Sequence, residues 1–182
     1  MPVYIALLRG INIGPHKRMK MEKLRAGCEG LKLSDVKTYV QSGNVVFQAA
    51  KCNPDSLSKK LEEMIVQEFG FTSRVVIRTD ADLEDIIRNN PFRPVSKFED
   101  NRLCVAFLSA EPDKAAVQKL KALQQPEPFH VRGNNLYVYY GNGFAKTKLN
   151  TNLLGRILGV DATVRNWRTV TSLDAMAQEC SR

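Results

Sequence analysis

The strongest constraint on the fold is an order of apolar patterns that the chain runs through twice. Val3–Leu8 is an unbroken apolar run of six residues, the mark of a strand buried on both faces. Met19, Met21, Leu24 and Cys28 follow at helical spacing, and that helix is expected to end near Gly30. Residues 36–41 and Asn44–Gln48 read as two strands turned at Ser42-Gly43. Asn53-Pro54-Asp55 then opens a helix, with Asn53 as cap and Pro54 at the first helical position. Its apolar face is Leu57, Leu61, Met64, Ile65 and Phe69, Gly70 ends it, and residues 73–79 form another strand. The order β-α-β-β-α-β is the ferredoxin-like arrangement.

The second half repeats it. Leu103–Leu108 is an apolar strand, and residues 113–123 place Ala116, Val117, Leu120 and Leu123 at helical spacing. Phe129–Arg132 and residues 136–140 form a hairpin around Gly133-Asn134, residues 150–158 a helix, and residues 162–169 a strand. Ser42-Gly43-Asn44 corresponds to Arg132-Gly133-Asn134, and Arg78-Thr79 to Arg168-Thr169. Each repeat carries an extra C-terminal helix, over residues 83–89 and 173–179. The expectation is an α+β protein of two tandem ferredoxin-like units, 1–90 and 102–182. Residues 91–101 link them, and Asn90-Pro91-Phe92-Arg93-Pro94 breaks the chain there.

In such a unit the sheet order is 4-1-3-2, so the exit of the first strand lies beside the turn of the hairpin. Arg9, Asn12, Gln41, Ser42 and Asn44 are expected to converge, with Tyr39 nearby, Gly14 shaping the loop, and Lys17 and Arg18 at the rim. Amide and hydroxyl donors and cations at a helix start suit a phosphate or carboxylate. The plainer alternative is turn chemistry at Asn12, Gly14 and Ser42-Gly43. The net charge of +8 favours acidic partners, though it also serves solubility. Basic residues crowd residues 128–173. There Lys146, Lys148, Arg165 and Arg168, with Trp167 and the strand Leu136-Tyr137-Val138-Tyr139-Tyr140, make a second basic face. That strand lacks the full aromatic signature of an RNA-recognition sheet, so packing is the preferred reading of its aromatics.

The runs LRGINIG and TYVQSGNVVF, the Asn90-Pro91-Phe92 turn and the late TVRNWRTV resemble, across essentially the whole chain, the bacterial domain of unknown function 1697 family. The resemblance implies a cytoplasmic α+β protein of two ferredoxin-like halves, with no established activity or cofactor. Family members often read Gly-Gly where this chain has Gly14-Pro15, and Pro15 offers no N–H to a ligand.

Other chemistry is thin. Four scattered cysteines and two histidines make neither a zinc site nor a disulfide framework, and no cofactor is expected. Free thiols fit a reducing cytoplasm. The N-terminal apolar run is too short for a membrane span and lacks a signal peptide's cleavage region, so no membrane partner is expected. No GxSxG elbow, HExxH, paired-carboxylate or Cys-His pattern occurs, and 141–146 lacks the spacing of a P-loop. The leading expectation is therefore a non-catalytic binder of nucleic acid or a phosphorylated metabolite at the strand-one and hairpin loops. The alternatives are an enzyme using Tyr39 or His16 on a small anionic substrate, and a scaffold pairing its sheet edges between chains. The oligomeric state is not readable.

Overall fold

The computed structural model describes residues 1–181 as a mixed α+β protein. Two four-stranded antiparallel sheets and six α-helices make up its regular structure. The chain divides into two compact units, Met1–Asp85 with Ser172–Arg182, and Ile86–Thr171. The segment 91–101, expected as a linker, lies inside the second.

In the first unit β1 (Val3–Leu8) is followed by α1 (Met21–Gly30), β2 (Ser34–Tyr39), β3 (Asn44–Gln48), α2 (Pro54–Phe69), β4 (Val75–Thr79) and the start of α3 (Asp80–Arg88). The sheet order is β2-β3-β1-β4, with Ile5 between Val46 and Arg78. Alternation sends Tyr4, Ala6, Leu8, Val45, Phe47, Val75 and Ile77 to the face covered by α1 and α2, where Leu24, Cys28, Leu57, Leu61 and Ile65 meet them. Each fully buried aliphatic side chain there contributes about 1.5–3 kcal/mol. The other face takes the C-terminal part of α6 (Trp167–Cys180). Gln48 donates to the Cys180 carbonyl at 2.6 Å, and Ser172 Oγ to the Tyr39 hydroxyl at 3.1 Å. The Asn53 cap and Pro54 start of α2 are as the sequence predicts, and Gly70 closes the helix in the left-handed conformation.

In the second unit β5 (Leu103–Leu108), α4 (Lys114–Ala122), β6 (Phe129–Arg132), β7 (Asn135–Tyr139), α5 (Thr151–Leu158) and β8 (Ala162–Asn166) give the order β6-β7-β5-β8. Leu136, Val138 and Tyr140 join the core under α4 and α5, while Tyr137 turns to the opposite face and donates to the Ile86 carbonyl at 2.9 Å. Tyr137 is 2% exposed, so it is no base-stacking platform.

Several boundaries differ from the sequence reading: Ser73, Arg74 and Tyr140 lie outside the strands, β2 starts earlier at Ser34, and three further shifts have a side-chain cause. Val40 and Gln41 are not strand: Asn44 Nδ2 donates to the Tyr39 carbonyl and to Ser42 Oγ, which closes a turn over residues 40–43 and puts Val40 at φ +49°. Trp167, Arg168 and Thr169 are not strand either, because Asn166 Oδ1 accepts from Thr169 N–H and starts α6 early. A reciprocal pair, Thr79 N–H to Asp82 and Asp82 N–H to Thr79 Oγ1, likewise starts α3 at Asp80. The pairing also moves both equivalences. Asn44 sits opposite Leu7 as Asn135 sits opposite Phe107, so Asn44 matches Asn135 and not Asn134. Arg78 sits opposite Ile5 as Arg165 sits opposite Val105, so Arg78 matches Arg165 and not Arg168.

Candidate functional site

The loop of residues 9–20 sets the first unit apart from the second. It has twelve residues between β1 and α1, against five, residues 109–113, between β5 and α4. Both ends of the loop are tied down. Leu8 N–H donates to Gly43 O at 2.8 Å, Arg9 N–H to Arg74 O at 2.9 Å, and Ser73 Oγ to Arg9 O at 2.8 Å. Ile11 and Met19 are buried in the core below, so the residues between them arch into solvent. Gly10, Asn12, Gly14 and Lys17 all have left-handed backbones.

Asn12 holds the arch. Its backbone N–H reaches Lys17 O at 3.1 Å. Its side-chain amide donates to Met19 O at 2.9 Å and Gln41 O at 2.8 Å, and Oδ1 accepts from Met19 N–H at 2.8 Å. The loop and the hairpin turn therefore do meet. Gly43 is required at the junction: at φ +77° any Cβ would stand 2.6 Å from Leu8 Cβ and 2.8 Å from Ile11 Cδ1.

The arch leaves an open cleft of about 520 Å³ against the start of α1, lined by Asn12, Arg18, Met19, Lys20, Met21, Glu22, Arg25 and Gln41. Among the described residues no side chain caps α1 at Lys20. Its first N–H groups and the positive end of its dipole open toward the same end as the cations. Arg18 lies 3.4 Å from Gly14 O, at the limit of a hydrogen bond, and Arg25 is fixed by Thr38 Oγ1 at 2.7 Å. Two or three cations beside an uncapped helix start can hold a phosphate or carboxylate.

Of the residues expected from sequence, Asn12 and Gln41 line this cleft, and Arg18 moves from rim to wall. The others serve elsewhere. Lys17 Nζ donates to Thr72 O at 2.7 Å. The Tyr39 hydroxyl accepts from Ser172 on the opposite face of the sheet and does not line the cleft. Ser42 and Asn44 build the hairpin turn, Gly14 is an exposed left-handed turn residue, and Arg9 anchors the loop start. His16 is exposed on the arch. Lys20, Glu22 and Arg25 were missed. Glu22 and Arg25 share a helix face at a three-residue spacing, a signal that becomes useful only once the helix start is fixed.

The second basic face does not form as expected. Trp167 is 6% exposed. Arg165 is half-buried, donates to Val164 O at 3.0 Å, and burial pushes its guanidinium down to about 10. Arg168 makes a two-pronged pair with Asp100, both contacts 3.0 Å, and the guanidinium holds that carboxyl below its usual range. Lys146 and Lys148 stay exposed, and so does Arg168, with its charge paired to Asp100. The β2 edge is interrupted by a bulge between Ser34 and Lys37, a device that blocks strand pairing between chains. Among the described residues no three His, Cys, Asp or Glu side chains gather as a metal would need, and no helix is long and apolar enough to cross a membrane.

The family described as protein of unknown function (DUF1697) matches residues 1–137, which takes in the arch, the cleft and both hairpins up to β7. The chain belongs to this family. No curated protein matches it. A solved structure of the conserved bacterial protein SP0830 from Streptococcus pneumoniae is similar, with a TM-score of 0.69 and 22% identity over 97% of this chain and 98% of that one. At that identity the likeness speaks to the fold alone. The site of this DUF1697 chain therefore has to be argued from its own residues.

Proposed function

We propose that this protein binds an anionic ligand, a phosphorylated small molecule or nucleic acid, in the cleft between the arch and α1. The carrying observation is that the Asn12-pinned arch leaves the start of α1 uncapped beside Arg18, Lys20 and Arg25. The ligand would meet the cations and the free N–H groups, with Gln41 as part of the wall. We read each unit as ferredoxin-like, with the pair a duplication whose first copy gained the long loop. The order of elements and two arginines at matching register, the buried Arg78 and the half-buried Arg165, support this. Four unbonded cysteines suit a reducing cytoplasm.

Phosphate-dependent thermal stabilisation tests the reading. At a hundred times Kd a ligand adds about 2.7 kcal/mol, a rise of about 5–10 °C for a chain of this size. Arg18→Ala with Lys20→Ala should abolish that rise, and Lys146→Ala with Lys148→Ala should leave it intact. The proposal fails if phosphate, phosphate esters and oligonucleotides all leave the melting temperature unchanged, or if the cleft variant responds like wild type.

A further inference from the structure

Resting on that reading, we infer that the ligand is a small phosphate monoester bearing a hydroxyl or ammonium donor close to its phosphate, and not nucleic acid. The cleft holds a carboxylate as well as cations. Glu22 lines it together with Arg18, Lys20 and Arg25. A single phosphate can be held by the cations while Glu22 accepts a hydrogen bond from a donor on the same molecule. A polyphosphate backbone crossing the cleft would bring further negative charge against Glu22.

A nucleic acid also needs a track of cations beyond one phosphate, and three cations of this unit are already engaged by protein partners. Lys17 is taken by Thr72 O at 2.7 Å. Lys23 pairs with Glu68 at 3.8 Å and lies 4.9 Å over the Phe69 ring. Arg74 pairs with Glu62 at 3.1 Å. Bases would find no platform on the sheet either, because Tyr4 and Phe47 are buried and stack on each other at 6.1 Å. The cleft volume, about 520 Å³, falls within the range of small-molecule sites. Met19 and Met21 in its wall offer apolar contact to a short carbon skeleton.

Calorimetric titration of the full chain with three probes tests the inference. The probes are ribose 5-phosphate, which has donors, n-propyl phosphate, which has none, and a twelve-nucleotide single strand. Wild type should prefer the sugar phosphate to the propyl ester by about tenfold, the difference a charge-assisted hydrogen bond makes. Glu22→Gln, an exposed and isosteric change, should narrow that ratio to about threefold or less and strengthen oligonucleotide binding. Equal affinity for the two esters, or tighter binding of the oligonucleotide by wild type, overturns this inference and leaves anion binding standing. Binding that ignores Arg18→Ala with Lys20→Ala, or no binding by any probe, overturns both.

Discussion

Replacing Asn12 tests the construction of the site from its foundation. Asn12→Ala removes three side-chain hydrogen bonds, to Met19 O, Gln41 O and Met19 N–H. Each contributes about 0.5–1.5 kcal/mol net. The position is half-buried and water can replace part of the loss, so we take about 2 kcal/mol for the set. Asn12 also stands at φ +53°, where alanine costs about 1 kcal/mol more than asparagine. The sum is about 3 kcal/mol, a fall in melting temperature of about 6–12 °C by circular dichroism. Asn12→Gly removes the same hydrogen bonds without the backbone penalty and should recover about 2–4 °C of that fall. Both variants should lose the response to phosphate, since the arch that places Arg18 is released. An alanine variant melting within about 2 °C of wild type would refute the argument that Asn12 organises the loop.

Gly43→Ala forces a methyl group against Leu8 and Ile11 at φ +77° and should lower the melting temperature by about 6 °C or more. Gly133→Ala, at φ +57° in open space, should cost only the backbone term, about 2–4 °C. A thiol reagent at pH 8 should modify Cys52, the exposed cysteine, before unfolding. Cys28 and Cys104, which burial pushes up to about 12, should react only once the chain is denatured. Asp174 is held above the usual carboxylate range by burial and by Glu84 and Asp80, and its Oδ1 has no hydrogen-bond partner among the described residues. The folded state thus binds its proton more readily than the unfolded one, and stability falls as the pH rises through that raised value. Asp174→Asn should raise the melting temperature at pH 7, and the gain should vanish in acid below the ordinary carboxylate range. A constant gain at all pH values would contradict the assignment.

Much of the fold was legible because its signals are local. Val3–Leu8 and Leu103–Leu108 read as strands, and Asn53 and Asn150 accept backbone N–H bonds at the helix starts where their residue types predict. The misplaced boundaries share a cause. Asn44, Asn166 and the Thr79–Asp82 pair override the apolar pattern with side-chain-to-backbone bonds, and β-branched Val40 is carried into a left-handed turn by Asn44. The site was legible as a meeting of two loops, because sheet order alone brings residue 12 near residue 41. Which side chains face outward was not. Tyr39 and Lys17 are drawn off by Ser172 and Thr72, partners distant in sequence, while Arg25 is positioned by Thr38 on the neighbouring strand. Nothing in the residue types reveals those pairings.

The contrast between the two first-helix loops shows what the longer one adds. The corresponding cleft of the second unit is smaller, about 280 Å³, and is lined by Glu111, Pro112, Lys114, Lys121 and Gly133 among others. Extra loop length by itself costs little, about 0.6 kcal/mol per doubling. Left-handed Asn12 and Lys17 and an Ile13 side chain 73% exposed cost more than length does, so this loop is not merely slack chain. A pre-formed arch also makes a kinetic prediction. Lys17, Arg18 and Lys20 are exposed trypsin sites, yet bonds at Asn12 and the burial of Ile11 and Met19 keep this stretch from the extended form a protease requires. Limited trypsinolysis of the wild type should therefore cut elsewhere first, and Asn12→Gly should make the bonds after Lys17 and Arg18 the earliest to go. A first cut after Lys17 or Arg18 in the wild type would mean that the arch is loose. The cations would then be gathered only by the ligand, with the ordering entropy subtracted from its affinity.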